Sequence, residues 1–284
     1  MEYVRASTVD EALSAAKLGA TFVAGGTNLV PDVLFGRKQT ERVVDISRLS
    51  ELQFIENKDG RIRVGALTTV TDLLQSDLIR RGAFPLYESA LEFAGPLVRN
   101  RATVAGNLLD ASPAADLAPP LLAQDGEAEL LSSAGRRTLP LQNFFLGYRN
   151  TGVRPGELVT AISIRPLGES DRATYCKLQL RRAMAISLLS VAVVLWMDGE
   201  TCLDAGIGLG AVAAVPFRAE AAEAVLRGRV IGEVEIDAAA DAARESASPI
   251  DDVRASANYR KNMCGVLVRR LLREAMGLPE ATRA

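Results

Sequence analysis

The stretch VAGGTNL at residues 23–29 places two adjacent glycines directly after a short predicted strand, residues 21–24. Glycine lacks a Cβ atom, so Gly25 and Gly26 can adopt positive φ and allow a ligand to touch the backbone. Successive N–H groups in such a turn can point into one concavity and bind phosphate oxygens. A plain tight turn is the alternative interpretation, and the stretch taken alone leaves both open.

A second stretch, TVAGN at residues 103–107, has the same character. Thr103 supplies a hydroxyl, Ala105 and Gly106 are small, and the amide of Asn107 can brace the loop. Two such loops in one domain could hold both phosphates of a dinucleotide. Neither stretch has the G-x-G-x-x-G spacing of a Rossmann fold. The glycines of residues 206–210 (GIGLG) are interpreted as part of a strand and turn.

Asp116 lies nine positions after Asn107, just before a predicted helix that begins at Leu117. An aspartate in that position can cap the helix by accepting a backbone hydrogen bond. It can also accept hydrogen bonds from the hydroxyls of a ribose. The spacing alone favours the cap.

Composition excludes several classes of protein. The 284-residue chain contains no histidine, which excludes Ser-His-Asp and Cys-His catalysis and histidine-ligated metals. Cys176, Cys202 and Cys264 are isolated, so we expect no metal site here, and sparse free thiols fit a reducing compartment. The formal net charge of −2 argues against nucleic-acid binding. The longest apolar stretch, residues 185–197, falls short of the roughly 20 residues of a membrane span, so we expect a cytoplasmic protein.

Local patterns predict an α+β fold with a domain boundary in the polar segment 166–171. Strands followed by helices after this boundary indicate a C-terminal domain with helices on one face of an antiparallel sheet. In chain order the patterns predict a helix after a capping box at 8–11, strands at 21–24, 42–46 and 61–67, helices at 70–79, 85–93 and 117–124, strand-like sequence from 128 to 166, strands at 174–180, 188–197 and 202–209, and helices at 217–226, 236–247 and 259–276.

Four motifs in this order resemble one known family. They are AGGTNLVP (24–31), VRNRATVAGNLLDASPAADLAPPLLA (98–123), GELVTAISIRP (156–166) and YCKLQLRRAMAISLLSVAV (175–193). Together they resemble the FAD-binding medium subunit of the molybdenum hydroxylases, which include xanthine, carbon monoxide and nicotine dehydrogenases. The resemblance extends essentially from end to end of the chain.

The resemblance implies a vanillyl-alcohol-oxidase-like FAD-binding domain at residues 1–168, with subdomains of about 1–56 and 57–168. A C-terminal domain with a three-stranded antiparallel sheet and helices follows at 172–284. FAD is implied to bind non-covalently, its pyrophosphate between the two loops, with Asp116 contacting it. The implied cofactor-binding residues are Phe22, Val23, Ala24, Gly25, Gly26, Thr27, Asn28, Leu29, Phe93, Thr103, Val104, Ala105, Gly106, Asn107, Asp116, Leu158 and Lys177.

The resemblance also implies a role without catalytic residues: an electron-transfer subunit. A large partner subunit would carry the molybdenum cofactor and a small one two [2Fe-2S] clusters, in a dimer of heterotrimers. This chain would pass electrons from those clusters through FAD to an external acceptor. A free-standing FAD-dependent oxidoreductase of the same superfamily is one alternative, and a non-catalytic subunit that has lost flavin is another. The second alternative rests on Ala105, which replaces the first glycine of the usual T-x-G-G-N turn and would be strained at positive φ.

Overall fold

The computed structural model describes residues 1–17, 19–181 and 183–279. The chain has the predicted α+β fold, in which three groups of strands and helices each enclose a hydrophobic core. No helix in these residues is both long enough and apolar enough to cross a membrane.

The first group is a small parallel sheet with two short helices. Its elements are β1 (Glu2–Arg5), α1 (Val9–Ala16), β2 (Thr21–Val23), α2 (Leu29–Leu34) and β3 (Arg42–Asp45). The strand order is β1–β3–β2, and both pairings are parallel. Sequence patterns predicted all of these except β1 and α2. Thr8 caps α1 as predicted, since its hydroxyl accepts a hydrogen bond from the Glu11 N–H at 3.2 Å.

The second group is an antiparallel sheet covered by helices. Its five strands have the order β4–β5–β10–β6–β7, while β8 and β9 form a separate hairpin. The elements of this group are β4 (Ile55–Lys58), β5 (Arg61–Gly65), α3 (Val70–Gln75), α4 (Asp77–Gly82), α5 (Phe84–Leu91), α6 (Pro96–Arg99), α7 (Val104–Leu109), α8 (Ala118–Ala123), β6 (Glu127–Ser132), β7 (Gly135–Pro140), β8 (Phe145–Gly147), β9 (Asn150–Thr151) and β10 (Leu158–Ile164).

Two predictions for this group are wrong in detail. The helix predicted at 70–79 is two helices, because Ser76 has extended backbone angles and its hydroxyl accepts from the Ile79 N–H to cap α4. The stretch at residues 103–107, predicted as a loop, is instead the start of α7. Thr103 caps that helix, accepting from the Gly106 N–H at 3.1 Å.

The third group has the predicted C-terminal architecture. Three long antiparallel strands lie in the order β11–β12–β13, and two short strands pair with β13. The helices pack against one face of this sheet to form a core with it. The elements are β11 (Arg172–Leu178), β12 (Leu189–Asp198), β13 (Thr201–Gly210), β14 (Phe217–Arg218), α9 (Glu220–Leu226), β15 (Arg229–Val230), α10 (Glu233–Ser246) and α11 (Ala257–Ala275).

The opposite face of this sheet packs against the second group. Gly206 and Gly208 in β13 lie directly under α8, and a Cβ atom would come within 1.9 Å of the Ala123 carbonyl oxygen or 2.0 Å of that of Pro119. The glycines of residues 206–210 therefore allow close approach of a helix to a sheet. As predicted, they belong to a strand.

Candidate functional site

A cleft of about 650 Å³ lies between the small parallel sheet and the second group. Both glycine-containing stretches open onto it, although some 75 residues separate them in the chain. Three of the predicted site residues, Val104, Asp116 and Lys177, do not line the cleft. Those that do are Phe22, Val23, Ala24, Gly25, Gly26, Thr27, Asn28, Leu29, Phe93, Thr103, Ala105, Gly106, Asn107 and Leu158.

The two stretches are in direct contact at Gly25 and Arg101. The Arg101 Nε–H donates a hydrogen bond of 3.0 Å to the Gly25 carbonyl oxygen. A Cβ atom on Gly25 would lie only 1.8 Å from the Arg101 carbonyl oxygen. Only glycine allows this approach, so the first glycine of the pair is required to bring the stretches together.

The first stretch, between β2 and α2, presents backbone donors to the cleft. Gly26 has a φ of +70°, the left-handed conformation that favours glycine. The N–H groups of residues 26–29 have no protein acceptor within the part of the chain that the structure describes. All four residues line the cleft. Consecutive free N–H groups on one wall form the kind of concavity that binds phosphate oxygens.

The second stretch is braced from both sides. The Val104 N–H donates to the Thr68 carbonyl at 3.0 Å, and the side-chain oxygen of Asn107 accepts from the Leu117 N–H at 3.2 Å. Asn107 thus braces the loop in the way its amide suggested. Ala105 lies within α7 and has no positive φ, so alanine is not strained there. Ala105 therefore gives no reason to expect a subunit that has lost flavin.

Asp116 and Lys177 form a buried ion pair behind the cleft wall. The Lys177 Nζ lies 2.9 Å from Asp116 Oδ2 and donates to the Glu92 carbonyl at 3.3 Å. The Lys177 side chain is fully buried, so it is not a solvated charge on the surface of β11. Because α8 begins at Ala118 and has no side-chain cap, Asp116 is not the helix cap that its spacing favoured.

The charge state of this pair follows from burial. Burial raises the pKa of the Asp116 carboxyl, and the neighbouring Lys177 ammonium opposes that shift. Asp116 Oδ1 is buried without a hydrogen-bond partner among the described residues. Phe93, which follows Glu92, is buried and lines the cleft, so the pair lies close to the wall that Phe93 helps to form. A carboxylate with a free oxygen at such a place has capacity for a further donor.

Sequence reasoning missed the charged residues of the cleft. Asp32, Asp110 and Arg149 line it, and the Arg149 guanidinium pairs with both carboxylates. Arg149 belongs to the turn between β8 and β9 and is 117 residues from Asp32. No local pattern marks any of the three, because the tertiary fold alone brings them together.

Comparison with known proteins places the chain in a family. The model described as FAD binding domain in molybdopterin dehydrogenase matches residues 1–166. The chain belongs to this family. A second model, CO dehydrogenase flavoprotein C-terminal domain, matches residues 173–275. The resemblance inferred from the motifs is thus confirmed.

Relatives of this flavoprotein match along nearly the whole chain. The carbon monoxide dehydrogenase medium chain of Hydrogenophaga pseudoflava is 32% identical over 277 residues, which cover 96% of both chains. The 6-hydroxypseudooxynicotine dehydrogenase complex subunit alpha of Paenarthrobacter nicotinovorans is 32% identical, covering 99% of this chain and 96% of the relative. The structure of carbon monoxide dehydrogenase from H. pseudoflava, which lacks the Mo-pyranopterin moiety of its cofactor, superposes with a TM-score of 0.93 at 32% identity, covering 98% of this chain and 97% of the other.

These findings confirm several predictions. The chain is an FAD-binding medium subunit of the molybdenum hydroxylase family and hence an oxidoreductase subunit. Its fold class and its own cofactor, FAD, are as predicted.

Proposed function

We propose that this subunit binds FAD non-covalently in the cleft and transfers electrons to an external acceptor from two [2Fe-2S] clusters of a partner subunit. The observation that carries the proposal is the contact between the two stretches at Gly25 and Arg101, with free N–H groups beside it. This arrangement fits the FAD pyrophosphate, because it offers backbone donors and no side chain that would fill the space.

Each predicted site residue has a proposed role. Residues 22–29 and 103–107 hold the pyrophosphate, with Val104 acting through the backbone since its side chain is in the core. Phe93 and Leu158 shape an apolar wall for the flavin. Asp116 and Lys177 lie behind this wall and act on the flavin through their charges. When bound, FAD supplies reversible two-electron redox chemistry.

Lys177 has a specific electrostatic role in this proposal. A reduced flavin tends to carry negative charge, and a buried ammonium nearby favours that charge. Asp116 accepts from Lys177 at 2.9 Å and so fixes the position of the ammonium.

The assembly is also part of the proposal. We infer a small [2Fe-2S] subunit and a large molybdenum-cofactor subunit, in a dimer of heterotrimers located in the cytoplasm. Support comes from the relatives, which are named as a medium chain and as a subunit of a complex. The free state of Cys176, Cys202 and Cys264 agrees with a reducing compartment. Domains at 1–168, with subdomains of about 1–56 and 57–168, and at 172–284 are supported by the three largest hydrophobic clusters, each of which draws most of its residues from one of these ranges. A small fourth cluster joins the second and third groups.

The test compares two glycines that both have positive φ. Gly26 (φ +70°) lies in the first stretch, whereas Gly60 (φ +75°) lies in the turn between β4 and β5, where a Cβ atom would have no neighbour within 4 Å. Gly26→Ala should weaken FAD binding by about tenfold or more, because it strains the turn that presents the N–H groups. Gly60→Ala should introduce a similar strain in the backbone of its own turn but leave FAD binding unchanged.

The measurement is the flavin content of the purified full chain together with titration of the deflavinated chain with FAD. Wild-type protein without flavin absorption that also fails to bind added FAD would support the non-catalytic alternative. Equal FAD affinity in both variants would show that the pyrophosphate does not bind at the first stretch. Turnover of a small substrate by the chain purified without partners would support the free-standing oxidoreductase.

A further inference from the structure

A cluster of three charged residues connects both stretches at the cleft. The Arg149 Nη1 forms an ion pair with Asp32 Oδ2 and lies 3.8 Å from Asp110 Oδ1. Asp32 is nearly buried, with a side-chain exposure of 7%, and all three residues line the cleft. The guanidinium is therefore the shared partner of two carboxylates from different parts of the chain.

The two carboxylates belong to the helices that extend from the two stretches. Asp32 is in α2, which begins at Leu29 where the first stretch ends. Asp110 is the C-cap of α7, which Thr103 of the second stretch begins. By pairing with both, Arg149 fixes the distance between these helices. The two stretches lie at the N-terminal ends of α2 and α7, so the distance between the stretches depends on the distance between these helices.

The backbone around Arg149 is held in an uncommon conformation. Arg149 has a φ of +55° and Ala111, the residue after Asp110, a φ of +45°. The Arg149 N–H donates to the Ala111 carbonyl at 3.1 Å. Left-handed angles in non-glycine residues persist only where the surrounding structure imposes them, and they concentrate at functional sites. Here they place the guanidinium between the two carboxylates.

Charge gives a second reason for this arrangement. The carboxylates that line the cleft are Asp32, Asp110 and Glu157. Glu157 pairs with Arg137 at 2.7 Å, outside the cluster. Arg37 lies 3.7 Å from Asp32, but its side chain is 69% exposed, so water screens most of its effect. Lys38 and Arg154 also line the cleft, but among the described residues neither forms an ion pair with Asp32 or Asp110. Arg149 thus neutralises most of the charge of these two carboxylates, which would otherwise repel a pyrophosphate.

We propose that Arg149 is a positioning residue of the FAD site: it sets the spacing of the two phosphate-binding stretches and shields the pyrophosphate from Asp32 and Asp110. This inference rests on the proposed function. The guanidinium acts through the two carboxylates and not by contact with the cofactor.

The test measures FAD affinity by quenching of flavin fluorescence in the deflavinated full chain. Arg149→Met should weaken FAD binding about tenfold at an ionic strength of about 0.05 M, since it leaves two carboxylates uncompensated. The loss should shrink at about 0.5 M salt, where repulsion is screened. Asp32→Asn/Arg149→Met should recover a large part of the affinity. Arg80→Met, which breaks a surface pair with Asp77, is the matched control and should change nothing.

The outcomes separate the inference from the proposed function. Wild-type protein that does not bind FAD overturns the proposed function before any variant is made. If wild type binds but Arg149→Met binds equally well, the inference is wrong. The inference is also wrong if Asp32→Asn/Arg149→Met binds FAD as weakly as Arg149→Met does, because removing the Asp32 charge would then not have relieved any repulsion of the pyrophosphate. Should Arg149→Met not fold, Arg149→Lys keeps a positive charge beside both carboxylates and should bind FAD within about threefold of wild type. A tenfold loss in Arg149→Lys contradicts charge shielding.

Discussion

Two glycine-containing regions of this subunit meet a carbonyl oxygen at almost the same distance, yet they serve different purposes. A Cβ atom would lie 1.8 Å from the Arg101 oxygen at Gly25 and 1.9 Å from the Ala123 oxygen at Gly206. Around Gly25 and Gly26 the backbone leaves a strand and presents unpaired N–H groups to a cleft. Gly206 instead lies inside β13, paired with Val194 of β12.

The difference shows what distinguishes a binding loop from a packing contact. Both regions use glycine because a neighbouring chain segment occupies the space of a side chain. A phosphate can bind to backbone N–H groups only where those donors remain free, whereas in a sheet the ladder uses most of them. The GIGLG stretch is richer in glycine than VAGGTNL, but all five of its residues pair with β12 and α8 covers two of its glycines.

The largest effect should come from the packing glycine. Gly206→Val would push a branched side chain into the Ala123 backbone and separate α8 from the sheet. We expect a loss of about 4 kcal/mol in the free energy of unfolding, with or without FAD. Gly147→Val in β8 is the control, since Gly147 has no positive φ and a Cβ atom there would lie 4.0 Å from its nearest neighbour. Thermal and urea unfolding measure both. Equal losses of stability in the two variants would show that the close contact of Gly206 with α8 does not cause the effect.

A smaller effect is expected from the buried pair behind the cleft. Lys177→Met removes the partner of Asp116 and should cost about 3 kcal/mol of stability at pH 7. Burial raises the pKa of the Asp116 carboxyl in the folded chain above its value in the unfolded chain. Protonation of Asp116 therefore stabilises the folded state, and the protein loses this contribution to its stability as the pH rises from about 4. Without Lys177 the pKa rises further, so the variant should lose more stability between pH 4 and 7 than wild type.

Urea unfolding at several pH values measures how the stability of Lys177→Met and of wild type changes between pH 4 and 7. Asp116→Asn/Lys177→Met should restore the shallower pH dependence, because the buried carboxylate is gone. A Lys177→Met profile parallel to that of wild type would contradict the electrostatic coupling. In the FAD-loaded subunit, the same variant should lower the flavin midpoint potential, and an unchanged potential would remove the proposed role of Lys177.

The sequence was sufficient for features that depend on local patterns. Capping by Thr8, the long strands of the C-terminal sheet and both glycine-containing stretches could be predicted because propensity, caps and periodicity are local. The resemblance added Lys177 and favoured a cofactor role for Asp116, whose spacing alone favoured a helix cap. The structure places them together in the interior instead.

The rest depends on contacts between distant residues. β1 is short and mostly exposed, so it has no clear alternation, and its parallel pairing with β3 comes from tertiary structure. The Asp32–Arg149 pair joins residues 117 apart, and no motif connects them. The close approach of Gly25 to Arg101 likewise exists only after the second group has folded against the first.

The smallest effect concerns the departure from the usual second turn. If the position of Ala105 required positive φ, Ala105→Gly would relieve strain and strengthen FAD binding. The structure places Ala105 in the right-handed first turn of α7, where glycine gives only greater freedom to the unfolded chain. We therefore expect Ala105→Gly to leave FAD affinity within about twofold of wild type and to lower stability by about 0.5 kcal/mol.

Fluorescence titration and urea unfolding of Ala105→Gly separate these possibilities. Gly106→Ala serves as the comparison, because a Cβ atom there would lie 2.8 Å from the Thr103 hydroxyl oxygen that caps α7. That change should disturb the cap and weaken FAD binding more than Ala105→Gly does. A clear gain in FAD affinity from Ala105→Gly would mean that the bound loop adopts a conformation different from α7. In that case the second stretch would need a left-handed residue, as the first does at Gly26. Both stretches, and not residues 26–29 alone, would then present free N–H groups to the pyrophosphate through a left-handed turn.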